Sequence, residues 1–141
     1  MKRRTFIKNC CCSAVGFGGV TTLLTGCQTA EVRNAPVSVN NNNELTISKS
    51  EFSTKSFVLI DHPGHEQPVC LYRTCDDEYA ASLLSCTHQR CTVSVDDDHF
   101  VCPCHGARFS HTGKVLKGPA EEDLTTYQTR VTDDSVLIVL R

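Results

Sequence analysis

Tryptophan is absent from this 141-residue chain, methionine occurs once, and aromatic residues make up only 6% of it. A core without large rings rests on Val, Leu and Ile, a composition that favours strands over broad helix interfaces. Helical periodicity is missing too: no stretch of about 11 residues returns apolar side chains every three or four positions, which excludes long amphipathic helices. No apolar run reaches the about 20 residues that a membrane-spanning helix requires. The first acidic side chain is Glu31, whereas Lys2, Arg3, Arg4 and Lys8 crowd the start. Beyond Cys27, ten basic side chains face sixteen acidic ones, a formal charge of about −6, which argues against nucleic acid as a partner. The length suits one modest core, hence one domain.

Cysteine, by contrast, is abundant. Ten occur: Cys10, Cys11, Cys12 and Cys27 near the start, Cys70 and Cys75 mid-chain, and Cys86, Cys91, Cys102 and Cys104 in a short span that also holds His88 and His105.

The N-terminus reads as an address. "MKRRTFIKNCCCSAVGFGGVTTLLTGC" has a basic start, a weakly apolar stretch over 14–25 thinned by three glycines, and a small-residue cleavage region. Arg3 and Arg4 followed by Thr5, Phe6, Ile7 and Lys8 resemble the twin-arginine signal, whose machinery exports folded proteins. Leu24, Thr25, Gly26 and Cys27 resemble a bacterial lipoprotein box, which makes residues 1–26 a signal peptide and Cys27 a lipidated mature N-terminus. An ordinary secretory signal or an uncleaved anchor helix is the alternative. Each of these places the domain outside the cytoplasm, on the periplasmic side. Folded export suits a protein whose cofactor is inserted before it enters an oxidising compartment, and several acyl chains would hold it at the membrane. Residues 27–43, ending in four asparagines, read as a flexible linker of about 20 to 25 Å end-to-end distance.

From residue 44 to 141 the apolar pattern has period two with frequent turn signals. "ELTIS", "SFVLI", "PVCLYR", "YAASLLS", "TVSV", "HFVC", "LTTYQTRV" and "VLIVLR" are the strand candidates. An all-β antiparallel meander or sandwich is expected, with function at its loops. "CTHQRC" and "CPCHG" each sit at the end of a strand, separated by the hairpin "TVSVDDDHFV". Each can offer one thiolate and one imidazole, so two facing loops present two sulfurs and two nitrogens, which suits zinc or an iron–sulfur cluster. Two disulfides are a third possibility, though they leave both histidines without a role.

These two motifs resemble those of Rieske iron–sulfur proteins, CxHxxC followed by CxCHG. The likeness runs from about residue 44 to 141, with the cluster-binding subdomain of two loops at about 85–120. It implies a [2Fe-2S] cluster with Cys86 and Cys102 on one iron and His88 and His105 on the other. It also implies a disulfide between Cys91 and Cys104, and a loop at Gly118 and Pro119 covering the cluster. The disulfide is usual in respiratory members, such as the iron–sulfur subunit of cytochrome bc complexes and the small subunit of arsenite-oxidase-type enzymes. Neutral imidazoles replace two thiolates, so adding an electron is easier, and such centres span about −150 to +300 mV. Arg90 stands where many relatives have glycine and reads as a solvated loop residue, the alternative being that its charge near the cluster partly opposes the loss of hydroxyl donors at Ala107 and Phe109. His62, His65, His99 and His111 read as surface side chains, and Cys70 and Cys75 as free thiols, Cys70 buried.

The resemblance implies one-electron transfer by a membrane-tethered extracytoplasmic protein, itself without catalytic residues, between a donor and a cytochrome, copper protein or larger oxidoreductase subunit. A quinol-oxidising subunit of a cytochrome bc-type complex and a redox-sensing module are the alternatives. High-potential members carry serine and tyrosine where this chain has Ala107 and Phe109, and neither of these can donate a hydrogen bond to sulfur. Such bonds stabilise the more negative reduced cluster, so their loss lowers the potential. Ala107→Ser combined with Phe109→Tyr is expected to raise the midpoint potential in protein-film voltammetry; an unchanged or lower value contradicts this account.

Overall fold

A computed structural model describes residues 38–39 and 43–140. The leader 1–26, Cys27 and most of the expected linker lie outside the described residues. The architecture is all-β, as expected: eleven described strands and one short 3-10 turn at Lys49–Phe52.

Strands β2 (Glu44–Ser48), β3 (Phe57–Ile60) and β11 (Ser135–Val139) alternate buried and partly exposed side chains, as strands with one core-facing side must. With β1 (Ser38–Val39), β4 (Val69–Cys75), β5 (Glu78–Leu83) and β10 (Thr126–Val131) they are connected in the order β1-β2-β11-β10-β5-β4-β3. The pairing turns at β10. Its first two residues pair with β5 and its last four with β11, so one strand serves both halves of a folded sheet. Between the halves lies a core that includes Leu45, Ile47, Val58, Ile60, Leu71 and Ile138, all at most 1% exposed. The 3-10 turn adds Phe52, whose ring meets Tyr79 edge-on at 5.0 Å.

One departure concerns the expected linker 27–43. Ser38 and Val39 pair with Thr46 and Leu45, giving β2 a neighbour on its otherwise open edge. Four asparagines in a row conceal this, because a two-residue edge strand has no periodicity to read.

Residues 84–125 are an insert between β5 and β10. Its ends are held together because Ser82 pairs with Thr126 and Ala81 with Tyr127. Within it β6 (Ser94–Val95), β7 (Phe100–Val101), β8 (Arg108–Phe109) and β9 (Val115–Lys117) form a second antiparallel sheet in sequence order. Phe100, Phe109, Leu84, Val93 and Leu124 fill a second core, to which the base contributes Cys70. That is why β4 is buried on both faces over Val69, Cys70 and Leu71, where Val69 and Leu71 face one core and Cys70 the other. Burial raises the Cys70 thiol pKa well above its ordinary value, so this cysteine is a packing residue. Cys75, at the far end of the strand, is free and exposed.

The insert folds back on the seam at Gly113. Its φ is +85°, its carbonyl accepts from the Leu124 amide at 2.8 Å, and an added Cβ would lie 2.9 Å from Thr126 Cγ2 and 3.1 Å from Ser82 Oγ. Gly113→Ala is therefore expected to cost about 2 to 4 kcal/mol, left-handed strain and overpacking together. Urea unfolding should show the loss as a lower midpoint at unchanged slope; a midpoint equal to wild type contradicts it.

Candidate metal centre

The two cysteine–histidine motifs fold into loops with the same backbone frame. In the first, Arg90 donates its amide to the Cys86 carbonyl at 2.7 Å, and Cys86 donates to the Cys91 carbonyl at 2.9 Å. In the second, Gly106 donates to the Cys102 carbonyl at 2.9 Å, and Cys102 to the Ala107 carbonyl at 2.8 Å. The fifth residue of each loop has a left-handed backbone, φ 57° at Arg90 and 74° at Gly106. Position for position, Cys86 matches Cys102 and Arg90 matches Gly106. The arginine that stands in place of a glycine is thus more than a solvated loop residue: its exposed side chain sits on a backbone that glycine adopts at no steric cost.

This frame sends the thiols inward and the imidazoles outward. Cys86 and Cys102 are 1% and 2% exposed and belong to the second core. His88 and His105 are exposed, with ring centroids 5.0 Å apart and planes at 84°. Burial pushes the Cys86 thiol pKa up, and the neighbouring Cys102 thiol adds to this. Backbone hydrogen bonds from His88 and Gln89 pull the other way by favouring negative charge on that sulfur. The loop backbone at His88 and Gln89 thus favours negative charge on that sulfur, whereas Ala107 and Phe109, both buried, carry no side-chain donor.

Cys91 and Cys104 form a disulfide with a Cα–Cα distance of 6.5 Å, joining the end of one loop to the middle of the other. Their sulfurs and that of Cys102 all lie within 4.8 Å of one another, but the two bridged sulfurs are not available as ligands. The donors left for a metal group are two buried thiols and two exposed imidazoles. That set, split into a sulfur side and a nitrogen side, fits a [2Fe-2S] cluster with mixed ligation.

Contacts that sequence patterns do not show hold the loops in place. Gln67 Nε2 donates to the Arg90 carbonyl at 3.1 Å, and Thr87 Oγ1 donates to the Glu122 carbonyl at 2.7 Å, pinning the segment after Gly118 and Pro119 to the first loop. His111, expected at the surface, is half-buried: it stacks on Tyr72 at 3.7 Å, meets Phe100 edge-on at 5.2 Å and bonds the Asp96 carbonyl. It wedges the insert against the base. His99 is half-buried as well, and its Nε2 has no hydrogen-bond partner among the described residues. His62 lies beside His65 at 4.5 Å and against Tyr127 at 5.5 Å, and partial burial lowers its pKa, with His65 lowering it further.

The model of the Rieske [2Fe-2S] domain matches residues 29–128. The chain belongs to the Rieske family. Among curated relatives, the Rieske domain is similar to the cytochrome b6-f complex iron-sulfur subunit of Trichodesmium erythraeum, 31% identical over 100 residues, which are 70% of this chain and 50% of that protein. The subunit of the same name from Synechococcus elongatus is 44% identical over 55 residues, 38% of this chain and 31% of that one. The chain thus matches about a third to a half of the length of these relatives. Among solved structures, the cyanobacterial plasma membrane Rieske protein PetC3 from Synechocystis PCC 6803 has 36% identity and a TM-score of 0.59, covering 66% of this chain and 95% of that one. The oxygenase–ferredoxin complex of carbazole 1,9a-dioxygenase, at 23% identity and a TM-score of 0.57, shares the fold over 70% of this chain and 94% of that one.

Because position 90 is left-handed, Arg90→Gly in this Rieske domain is expected to stabilise it by about 1 kcal/mol, the relief of side-chain strain less the added freedom of the unfolded chain. Thermal unfolding should shift upward by a few degrees, roughly as such a change moves a domain of this size; a lower midpoint contradicts the strain argument.

Proposed function

We propose that this chain is a one-electron carrier held at the extracytoplasmic face of a membrane. It takes electrons from a membrane or periplasmic donor and passes them to a cytochrome, a copper protein or a larger oxidoreductase subunit. The observation that carries this reading is the matched pair of loops, each with one thiol buried and one imidazole exposed. In this reading Cys86 and Cys102 hold one iron, and His88 and His105 hold the other. The bound cluster supplies a one-electron couple. The chain's own residues do the rest. The second core keeps water from the sulfur side, the exposed imidazoles offer a contact edge to a partner, and the Cys91–Cys104 bridge prevents the loops from separating.

The tether belongs to the same proposal and rests on sequence: a twin-arginine leader over 1–26, lipid on Cys27, and a linker shortened by the Ser38–Val39 pairing before the domain at 44–141. No helix among the described residues is long and apolar enough to cross a membrane. A second reading, a quinol-oxidising subunit, is favoured by the relatives that carry the name of cytochrome b6-f iron-sulfur subunits. In that case one cluster histidine would accept a quinol hydrogen bond.

Protein-film voltammetry of the loaded protein should show one reversible one-electron couple per chain. Cys27→Ser should move the protein from the membrane to the soluble fraction without altering that couple. A loaded chain lacking the couple contradicts the carrier reading, and a Cys27→Ser protein that stays membrane-bound contradicts the tether. Copurification with a cytochrome b would favour quinol oxidation.

A further inference from the structure

Between residues 44 and 140 there are eight basic and fifteen acidic side chains. In a domain with that excess of acid, exposed cations have carboxylates at hand, and four of the eight use them: Lys49 with Asp77, Lys55 with Glu51, Lys114 with Asp123, and Arg130 with Glu44. Arg73, Arg90, Arg108 and Lys117 make no ion pair among the described residues. Two of these four are neighbours in space. Arg108 on β8 is the direct cross-strand partner of Lys117 on β9. Like charges placed directly opposite destabilise a sheet, so the fold alone does not account for this pair.

The pair sits at an irregularity. Arg108 opposes Lys117 and Phe109 opposes Val115, leaving Leu116 as an extra residue on β9. Such a bulge re-aims side chains and lets consecutive residues face outward. Phe109 and Val115 pack into the second core, while Leu116 is 60% exposed, one of two exposed large apolar side chains among the described residues. β9 is one of the two edge strands of the insert's sheet. Arg108 follows His105 by three residues, and Lys117 leads directly into Gly118 and the segment that Thr87 ties to the first loop. An apolar knob flanked by two unneutralised cations therefore stands beside the loops that carry the imidazoles.

We propose that Arg108, Leu116 and Lys117 form a docking spot for a redox protein that presents carboxylates around a small apolar depression. The proposal rests on the carrier reading above and names the partner's surface chemistry. Charge complementarity is its argument. An anionic membrane would meet the same cations but also the domain's large acidic excess, and a patch this small attracts a bilayer weakly. A protein partner can match the patch locally and orient the exposed imidazoles toward its own centre.

The test is equilibrium binding of the loaded full-length protein to an acidic c-type cytochrome at low and high ionic strength, a readout that needs no electron transfer. Arg108→Gln with Lys117→Gln is expected to weaken binding roughly fivefold at low salt and to flatten its salt dependence, as loss of two rim charges should. Leu116→Ser should weaken binding about threefold without changing the salt slope, from loss of apolar contact. Arg73→Gln, the unpaired exposed cation on β4, should change neither. The proposal is overturned if the double variant binds like wild type, if Arg73→Gln weakens binding equally, or if vesicles of anionic lipid bind more tightly than the cytochrome in a patch-dependent way. Iron and sulfide content measured on the same samples separates the two failures: no cluster contradicts the carrier reading, whereas an intact cluster with patch-independent binding contradicts only the docking spot.

Discussion

Two backbone hydrogen bonds of equal register, Arg90 to Cys86 and Gly106 to Cys102, carry most of what is distinctive about this protein. Each turns its loop back on the cysteine that opens it, and each has a left-handed residue at the fifth position. The consequence is geometric. A thiol enters the core while the imidazole in the same loop remains in solvent, so two such loops face each other with sulfur on one side and nitrogen on the other. The disulfide joins inequivalent positions of the two loops, Cys91 and Cys104, and so fixes their relation without consuming either inward thiol.

The rest of the domain serves as a pedestal. Because the insert begins and ends on strands that pair at Ser82 and Thr126, its two ends cannot separate without breaking the base sheet. Packing reinforces this from both sides: Cys70 reaches up from β4 into the second core, and His111 reaches down to stack on Tyr72. Two modest cores, one beneath the seam and one above it, offset the shortage of large aromatic residues noted in the sequence.

Legibility followed length and period. β2, β3 and β11 were readable because each alternates over four or five residues, and the two motifs were readable because their spacing is a chemical signature in its own right. The strands β8 and β9, of two and three residues, and the edge pairing at Ser38–Val39 gave no periodic signal. The wedge at His111 depends on a residue 39 positions away, which a linear reading has no means to find. Arg90 lay between these extremes. The sequence marked it as unusual, but only its backbone angle explains why glycine suits that position. Of the four residues proposed as ligands, the two thiols are buried in the second core and the two imidazoles are exposed with their rings 5.0 Å apart.

The central claim is that each loop supplies one sulfur and one nitrogen to the same pair of irons. Pulsed EPR on the dithionite-reduced protein, matured in the cytoplasm and purified without air, tests it most directly when combined with metal and sulfide analysis. The account requires couplings from two imidazole nitrogens and equal amounts of iron and acid-labile sulfide, two of each per chain. A single zinc without sulfide, or a cluster spectrum with no nitrogen coupling, would contradict it.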